Sequence, residues 1–182
     1  LADAKTTWSN GTVALSLERS VTQVALALAD PVPNNFRQII DQQRDLSDRF
    51  LSEATALVAS NFDDLQGGSK FLSDAETIRQ QVAQLRQAVD VLLSRPLVAR
   101  DAARVDTLPF ELKSQISSLH GLTELMQIES TTKSNSSISF EILQNRAWEI
   151  REYGGRARTY FAIATLTKEP LSRTATAIVE TD

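Results

Sequence analysis

Residues 71–92 read FLSDAETIRQQVAQLRQAVDVL, and their spacing decides the fold. Phe71, Ala75, Ile78, Val82, Leu85, Val89 and Leu92 alternate steps of four and three without a break. That is the apolar seam of a helix in a coiled coil or four-helix bundle. Arg79, Arg86, Gln80, Gln81, Gln84 and Gln87 fill the other faces, and Pro96 stops the helix because it lacks the amide donor and clashes with the preceding turn.

The same rhythm extends in both directions. Upstream, a helix over about 5–29 carries Val13, Leu17, Val21, Val24 and Leu28 on one face and ends at Asp30-Pro31-Val32-Pro33. A second starts near Asn34, a good N-cap, buries Phe36, Ile40, Leu46, Phe50, Ala54 and Leu57, and ends before Gly67-Gly68. Downstream, 96–107 reads as a connection with room for a short helix. The next main helix begins near Pro109 and turns Leu112, Ile116, Leu119, Leu122 and Met126 inward. Residues 131–137 are polar and loop-like. A last long helix over roughly 138–167 carries Phe140, Leu143, Ala147, Ile150, Gly154, Ala157, Phe161 and Ala164 in threes and fours. Its seam is small at Gly154 and Ala157, where either a neighbour approaches closely or the space holds something else. Pro170 breaks the chain before a short final segment.

Helices of this length span roughly 35–45 Å, and no stretch of alternating period competes with them. The expected fold is all-α: an up-and-down bundle of long helices of the four-helix-bundle type, in one helical domain over 1–182. A faint internal repeat links 8–33 with 147–171. An offset of 139 residues pairs Arg19 with Arg158, Val24 with Ile163 and Pro31 with Pro170, and brings Trp8 and Trp148 near register. It is either a duplication, giving two pseudo-repeated bundles, or a shared helical pattern.

Composition narrows the function. Of 182 residues, 42% are apolar and 23% charged, with a net charge of −4 and no basic stripe, so a nucleic-acid surface is not expected. With no cysteine and a single histidine, thiolate chemistry and His-based metal sites or triads drop out, and His120 reads as a packing or surface residue. No nucleotide-binding or nucleophile-elbow motif is present, so no enzyme, metal or cofactor is expected. Glu149 and Glu152 read as a solvated face or as partners of arginines. Asn10-Gly11-Thr12 and Asn135-Ser136-Ser137 match the glycosylation sequon but read as cap and loop residues. No apolar run approaches the roughly 18 residues of a membrane span. The chain opens on Leu1-Ala2-Asp3 and closes on Ile178-Val179-Glu180-Thr181-Asp182 without a helix stop, which reads as a piece of a longer, membrane-anchored receptor.

The last long helix carries an arginine cluster: Arg151, Arg156 and Arg158. Arg158 flanks the small seam and pairs with Arg19 in the repeat. Guanidiniums approaching one interhelical gap repel unless an anion lies between them, and their planar forks suit oxyanions or carboxylates.

Leu17-Glu18-Arg19-Ser20-Val21-Thr22, then Phe36, then Gln43-Arg44-Asp45-Leu46-Ser47-Asp48 resembles the nitrate- and nitrite-sensing (NIT) type of helical sensor domain, which carries an L-x-x-E-R-G element followed by Q-R-x-x-T-D. Glu152-Tyr153-Gly154-Gly155-Arg156-Ala157-Arg158 resembles that family's K-E-x-x-G-x-E-R helix, with Ala157 in place of the second Glu and Ser20 in place of the Gly upstream. The stretch from Trp148 to Leu171 is similar to extracytoplasmic regions of bacterial chemotaxis receptors and sensor histidine kinases. The resemblance implies a periplasmic, ligand-binding sensor domain between membrane spans, a homodimer, with a small oxyanion or carboxylate held by Arg19 and Arg158, and with Arg44 and Asp48 supporting the bundle. Arg151 and Arg156 complete the candidate ligand set. The alternative is a helical protein-interaction module without a small-molecule ligand.

Overall fold

The computed structural model describes residues 2–28, 30–60, 68–131, 137–168, 170–171, 173 and 175–177, with backbone alone at 2, 124–131, 137–142, 144–145 and 167. Five α-helices account for most of these residues: α1 (Ala2–Leu28), α2 (Asn34–Ser60), α3 (Gly68–Leu93), α4 (Ala102–Thr131) and α5 (Ser137–Thr167). A single 3₁₀ turn, Leu97–Ala99, lies between α3 and α4. No strand occurs among the described residues. The all-α bundle expected from the periodicity is therefore the observed fold.

Two apolar clusters fix the topology. One joins Trp8 and Leu15 of α1 with the C-terminal half of α2 (Leu51, Val58), the N-terminal half of α3 (Phe71, Ile78) and Ile116, Leu119 and Leu122 of α4. The other joins the opposite ends of the same helices: Ala25 and Leu26, Ile40, Val89 and Leu92, and Leu108 and Leu112. Successive helices therefore run antiparallel, each burying its stripe against the others. On α5, Trp148 packs on the first cluster, Glu152 reaches Ser16 and Arg19, and Tyr160 meets Gln23. The residue numbers rise together, so α5 runs parallel to α1.

The helix α1 is central, with neighbours on all four other helices. This overturns its expected stripe. Leu17 is exposed and Val13, Val21, Val24 and Leu28 are half-buried, while Ala4, Trp8, Leu15, Ala25 and Leu26 form the core together with polar Thr12, Glu18, Arg19 and Thr22. A helix surrounded on several sides has no single apolar face for a periodicity to reveal. Asn10-Gly11-Thr12, read as cap or loop, lies inside this helix. On α2 the buried line is Ile40, Ser47, Leu51, Ala54 and Val58; Leu57 is exposed, and Phe36, Leu46 and Phe50 are half-buried. On α3 the seam holds, with Leu85 half-buried and the rest buried.

Helix α4 begins seven residues before Pro109, which lies inside it. The reason is local. Asp101 Oδ1 accepts the amides of Ala103 (3.0 Å) and Arg104 (3.3 Å), a side-chain N-cap, and the helix-favouring Ala102-Ala103-Arg104 follows. Leu112, Ile116, Leu119 and Leu122 are buried as expected; the side chain of Met126 is outside the described set. Both tryptophans hold the same turn of α4. Trp8 is fully buried and donates its indole N–H to the Leu119 carbonyl at 2.8 Å, while Trp148 stacks on His120 at 3.8 Å.

At the other end of the bundle, Arg100 is buried and donates to the carbonyls of Ala25 (3.2 Å) and Leu26 (2.8 Å) at the end of α1, and of Leu92 (3.1 Å) at the end of α3. A cation there satisfies carbonyls that helix ends leave without intrahelical partners and meets the negative ends of two helix dipoles. Helix α5 closes at Lys168, whose φ of 58° is the left-handed conformation of a helix C-terminus.

Helix α5 departs most from its sequence reading. Of the expected seam, Leu143 (65% exposed), Ile150 (72%) and Phe161 face solvent, as do Ala147 and Gly154, while Ala157 and Ala164 are half-buried. Phe140 lies outside the described side chains. The face against α1 is the polar one: Glu152, Arg156 and Thr159 are buried, with Trp148 half-buried. Gly154 and Gly155 make no close helix–helix approach, since a Cβ on either would meet nothing within 4 Å.

Candidate functional site

Two polar networks cross the bundle interior. The first centres on Glu18, whose side chain is 1% exposed. Arg86 of α3 donates Nε (2.9 Å) and Nη2 (2.7 Å) to its two oxygens, and Arg44 of α2 adds Nε at 3.0 Å. Each arginine then reaches a carboxylate on the other's helix: Arg44 pairs with Asp90 of α3 and Arg86 with Asp48 of α2. Ser47 Oγ accepts a further bond from Arg86. Burial works against the Arg86 charge, but hydrogen bonding and attraction from Glu18, then Asp48, outweigh it and raise its pKa above the ordinary arginine value. Three carboxylates face two guanidiniums here, so the charges are balanced within the protein, although Arg44 Nη2 is buried without a hydrogen-bond partner. The network ties α1, α2 and α3 together, the supporting role expected of Arg44 and Asp48. The groove of about 270 Å³ beside it, between α2 and α3, has both Asp48 and Glu76 among its walls with Arg79 and Arg86, so its charges are mixed.

The second network joins α1 to α5. Arg19 Nη2 donates to Glu152 Oε1 at 3.0 Å, and Ser16 Oγ donates to Glu152 Oε2. Arg19 and Glu152 are each only 3% exposed. Arg19's pKa is lowered: burial disfavours the charge, Glu152 offsets part of that, and nearby Arg156 adds repulsion. Arg19 Nε is buried with no hydrogen-bond partner. Arg156 is buried beside it and also lies over the Tyr153 ring, with 4.8 Å from guanidinium carbon to ring centroid.

Beside this contact lies a groove of about 320 Å³. Leu17, Val21 and Val24 of α1, Phe36 at the start of α2 and Ala162 of α5 supply its apolar walls. Leu17 and Val24 of the apolar stripe assigned to the α1 core thus border this groove, and Val21 borders it while also packing on the second cluster. Ser16, Ser20 and Thr159 line it as well, and Gly155 lies on its α5 side, whereas Gly154 and Ala157 of the expected small seam are not in its lining. Two arginines, Arg151 and Arg158, complete the lining. Arg151 is half-buried, and its Nη2 is shielded from solvent with no hydrogen-bond partner. Its pKa is lowered by burial, with Glu152 opposing the shift.

The four candidate arginines therefore sort into two pairs. Arg19 and Arg156 meet inside the bundle, where the counter-ion of Arg19 is the protein's own Glu152. Arg151 and Arg158 border the groove, with Arg158 exposed. The pairing of Arg19 with Arg158 across one gap is not what the fold builds: their helices are neighbours, but one side chain points inward and the other outward.

Sequence reasoning missed Glu18 as the hub of a three-helix network; of its two readings of Glu152, a solvated face or an arginine partner, the fold builds the second, with Arg19. One signal for the first network was present: Arg44-x-x-x-Asp48 and Arg86-x-x-x-Asp90 repeat the same spacing on two helices, and the pairs form crosswise between them. No local pattern marks Glu152, since its partners are 133 and 136 residues away.

Among the described residues no group of three or more Asp, Glu or His side chains is placed to hold a metal ion, and no helix is long and apolar enough to cross a membrane. Compared with known proteins, the chain matches no family model, no curated protein and no solved structure. The functional argument rests on the residues themselves.

Proposed function

We propose that this chain is the periplasmic signal-sensing domain of a bacterial transmembrane receptor, a chemotaxis receptor or sensor histidine kinase, and that it binds a small anion between α1 and α5. The observation carrying this reading is the groove beside the Arg19–Glu152 contact, lined by Arg151 and Arg158 and by no acidic side chain among the described residues. Arg151 also keeps a buried Nη2 without a hydrogen-bond partner, an unmet donor that a shift of its side chain towards a bound anion would satisfy. The sequence patches that resemble NIT sensors also converge in space: Glu18, Arg19, Arg44, Ser47, Asp48 and Glu152 all belong to the two networks.

The mechanism is a choice between packings. Helix α5 is held to α1 by a polar contact with few apolar layers, whereas α1 to α4 share two apolar clusters. An anion at Arg151 draws on the same positive field that holds Glu152 and so shifts the preferred position of α5 on α1. It shifts that balance only by its differential affinity for the two positions. A slide or rotation of α5 is the output passed to the parent receptor.

The test is a thermal-shift series with nitrate, nitrite and small carboxylates on the wild type and on Arg151→Gln, with spin-label distances between α1 and α5 for any anion that binds. The expected result is a Tm rise absent in Arg151→Gln, and a changed α1–α5 distance. A rise that survives the substitution rejects the site.

One observation favours the second reading, a protein-interaction module without a small-molecule ligand: Leu143, Ile150 and Phe161 leave an apolar stripe exposed along α5. If no anion raises Tm and substituting Ile150 by Asp abolishes an association of the intact receptor, that reading replaces the first.

A further inference from the structure

Helix α5 is amphipathic in the inverse sense. Its polar residues Glu152, Arg156 and Thr159 are buried against the bundle, while Leu143, Ala147, Ile150, Gly154 and Phe161 are exposed. With half-buried Ala157, the exposed residues keep steps of four and three without a break from 143 to 161. At about 100° per residue, Leu143, Gly154 and Phe161 lie roughly half a turn away from Glu152, so the seam faces directly outward. It runs roughly 27 Å along the helix at the usual rise.

The flanks of this seam carry one sign of charge. Arg151 and Arg158 lie on the side of the groove, and Arg146 lies on the other. Between 143 and 161 the acids are Glu149 and Glu152. Glu152 is buried with Arg19 and Ser16, and Glu149 accepts a hydrogen bond from Arg146 at 2.7 Å. Arg158 is exposed.

From this arrangement we infer that the outer face of α5 seats an amphipathic helix of another protein, one with apolar residues at heptad spacing and acidic residues beside them. Such docking goes beyond anion sensing and holds whether or not an anion binds. The spacing selects a helix, because side chains of a second helix insert between residues repeated this way. Gly154 and Ala157 leave a recess between Ile150 and Phe161, and a Cβ on Gly154 would meet nothing within 4 Å. The charge selects acid, since flanking charges set partner choice between paired helices. It also disfavours a second copy docked by the same seam. In parallel, Arg146 of one copy would flank Arg151 of the other; antiparallel, Arg151 and Arg158 would flank their own counterparts. A lipid surface is disfavoured too. Helices that lie in a bilayer interface keep a solvated basic face opposite the apolar one, whereas the polar face of α5 is packed on α1.

The experiment measures fluorescence anisotropy of two labelled three-heptad peptides with the full chain. Both carry Leu at the seam positions; one has Glu and the other Lys at every flanking position, so neither pairs with itself. The Glu peptide should bind, the Lys peptide at least about ten-fold more weakly. Added salt should weaken the Glu peptide. Ile150→Asp should cost it about ten-fold or more. Arg158→Glu should narrow the gap between the two peptides. Both substituted side chains are exposed, so the fold should persist, as circular dichroism will show. Equal binding of the two peptides, no binding of the Glu peptide, or binding untouched by Ile150→Asp overturns the inference. Self-association in sedimentation that Ile150→Asp abolishes gives the seam to a second copy, and binding to phosphatidylserine vesicles that Ile150→Asp abolishes gives it to a membrane; either overturns the helix partner. Anion sensing stands or falls separately, on the thermal shift at Arg151.

Discussion

Arg19 on α1 and Glu152 on α5 are 3.0 Å apart, each 3% exposed, and are separated by 133 residues of sequence. A buried ion pair of this kind adds little over an apolar pair of the same volume, but removing one partner strands the other. Glu152→Ala should therefore destabilise the domain by about 3–5 kcal/mol, while Arg19→Met combined with Glu152→Leu should lie near wild type. Urea unfolding of the two singles and the double checks this. Equal, additive losses would mean that the two side chains are not coupled.

Gly11 and Gly121 make opposite predictions from the same substitution. Alanine in place of glycine inside a helix gains about 1 kcal/mol from propensity. At Gly121 a Cβ meets nothing within 4 Å, so Gly121→Ala should stabilise by up to about that amount. At Gly11 the Cβ would lie 2.8 Å from the Leu51 side chain and 3.2 Å from its backbone nitrogen. The side chain can shift but the backbone nitrogen cannot, so overpacking, at about 1–3 kcal/mol, should outweigh propensity. Thermal unfolding of both variants checks the sign of each.

Arg100→Ala should cost about 1.5–3 kcal/mol through its charge-assisted bonds to helix-terminal carbonyls. Amide hydrogen exchange should quicken first in the last turns of α1 and α3, which those bonds cap. Even loss of protection throughout the bundle would show that Arg100 acts by some other route.

Tyr160 gives a pH signature. Its pKa is raised above 10.0: burial favours the neutral phenol and nearby Asp106 adds to that, against the opposing effects of Gln23, Arg19 and Arg156. The folded-state value exceeds the unfolded one, so its contribution is fully present below pH 10 and is lost as pH climbs through the folded value. Tyr160→Phe should flatten the decline of stability in that alkaline range, and ultraviolet titration of the wild type should show one late-ionising tyrosine. An unchanged alkaline limb in Tyr160→Phe counts against the assignment.

What the sequence revealed follows the apolar surface. Helix α3 packs one regular face on the bundle, and its seam was legible residue by residue. Helix α1 is covered on several sides, so its core positions scatter around the helix and the clearest stripe, Leu17-Val21-Val24, borders the groove. Helix α5 uses a polar face inward, because Glu152 finds Ser16 and Arg19 there, and hydrophobicity alone pointed to the opposite side. The arginines of the candidate site could be named from sequence. Their division into an internal pair and a groove pair could not, since it depends on how α5 is rotated about its axis.

The parity of the bundle has a consequence for how α5 can move. With neighbouring helices antiparallel and α5 parallel to α1, the first turn of α1 and the last turn of α5 lie at opposite poles. The contact between α1 and α5 therefore runs the length of the bundle, and any slide of α5 along α1 is a displacement between its two poles.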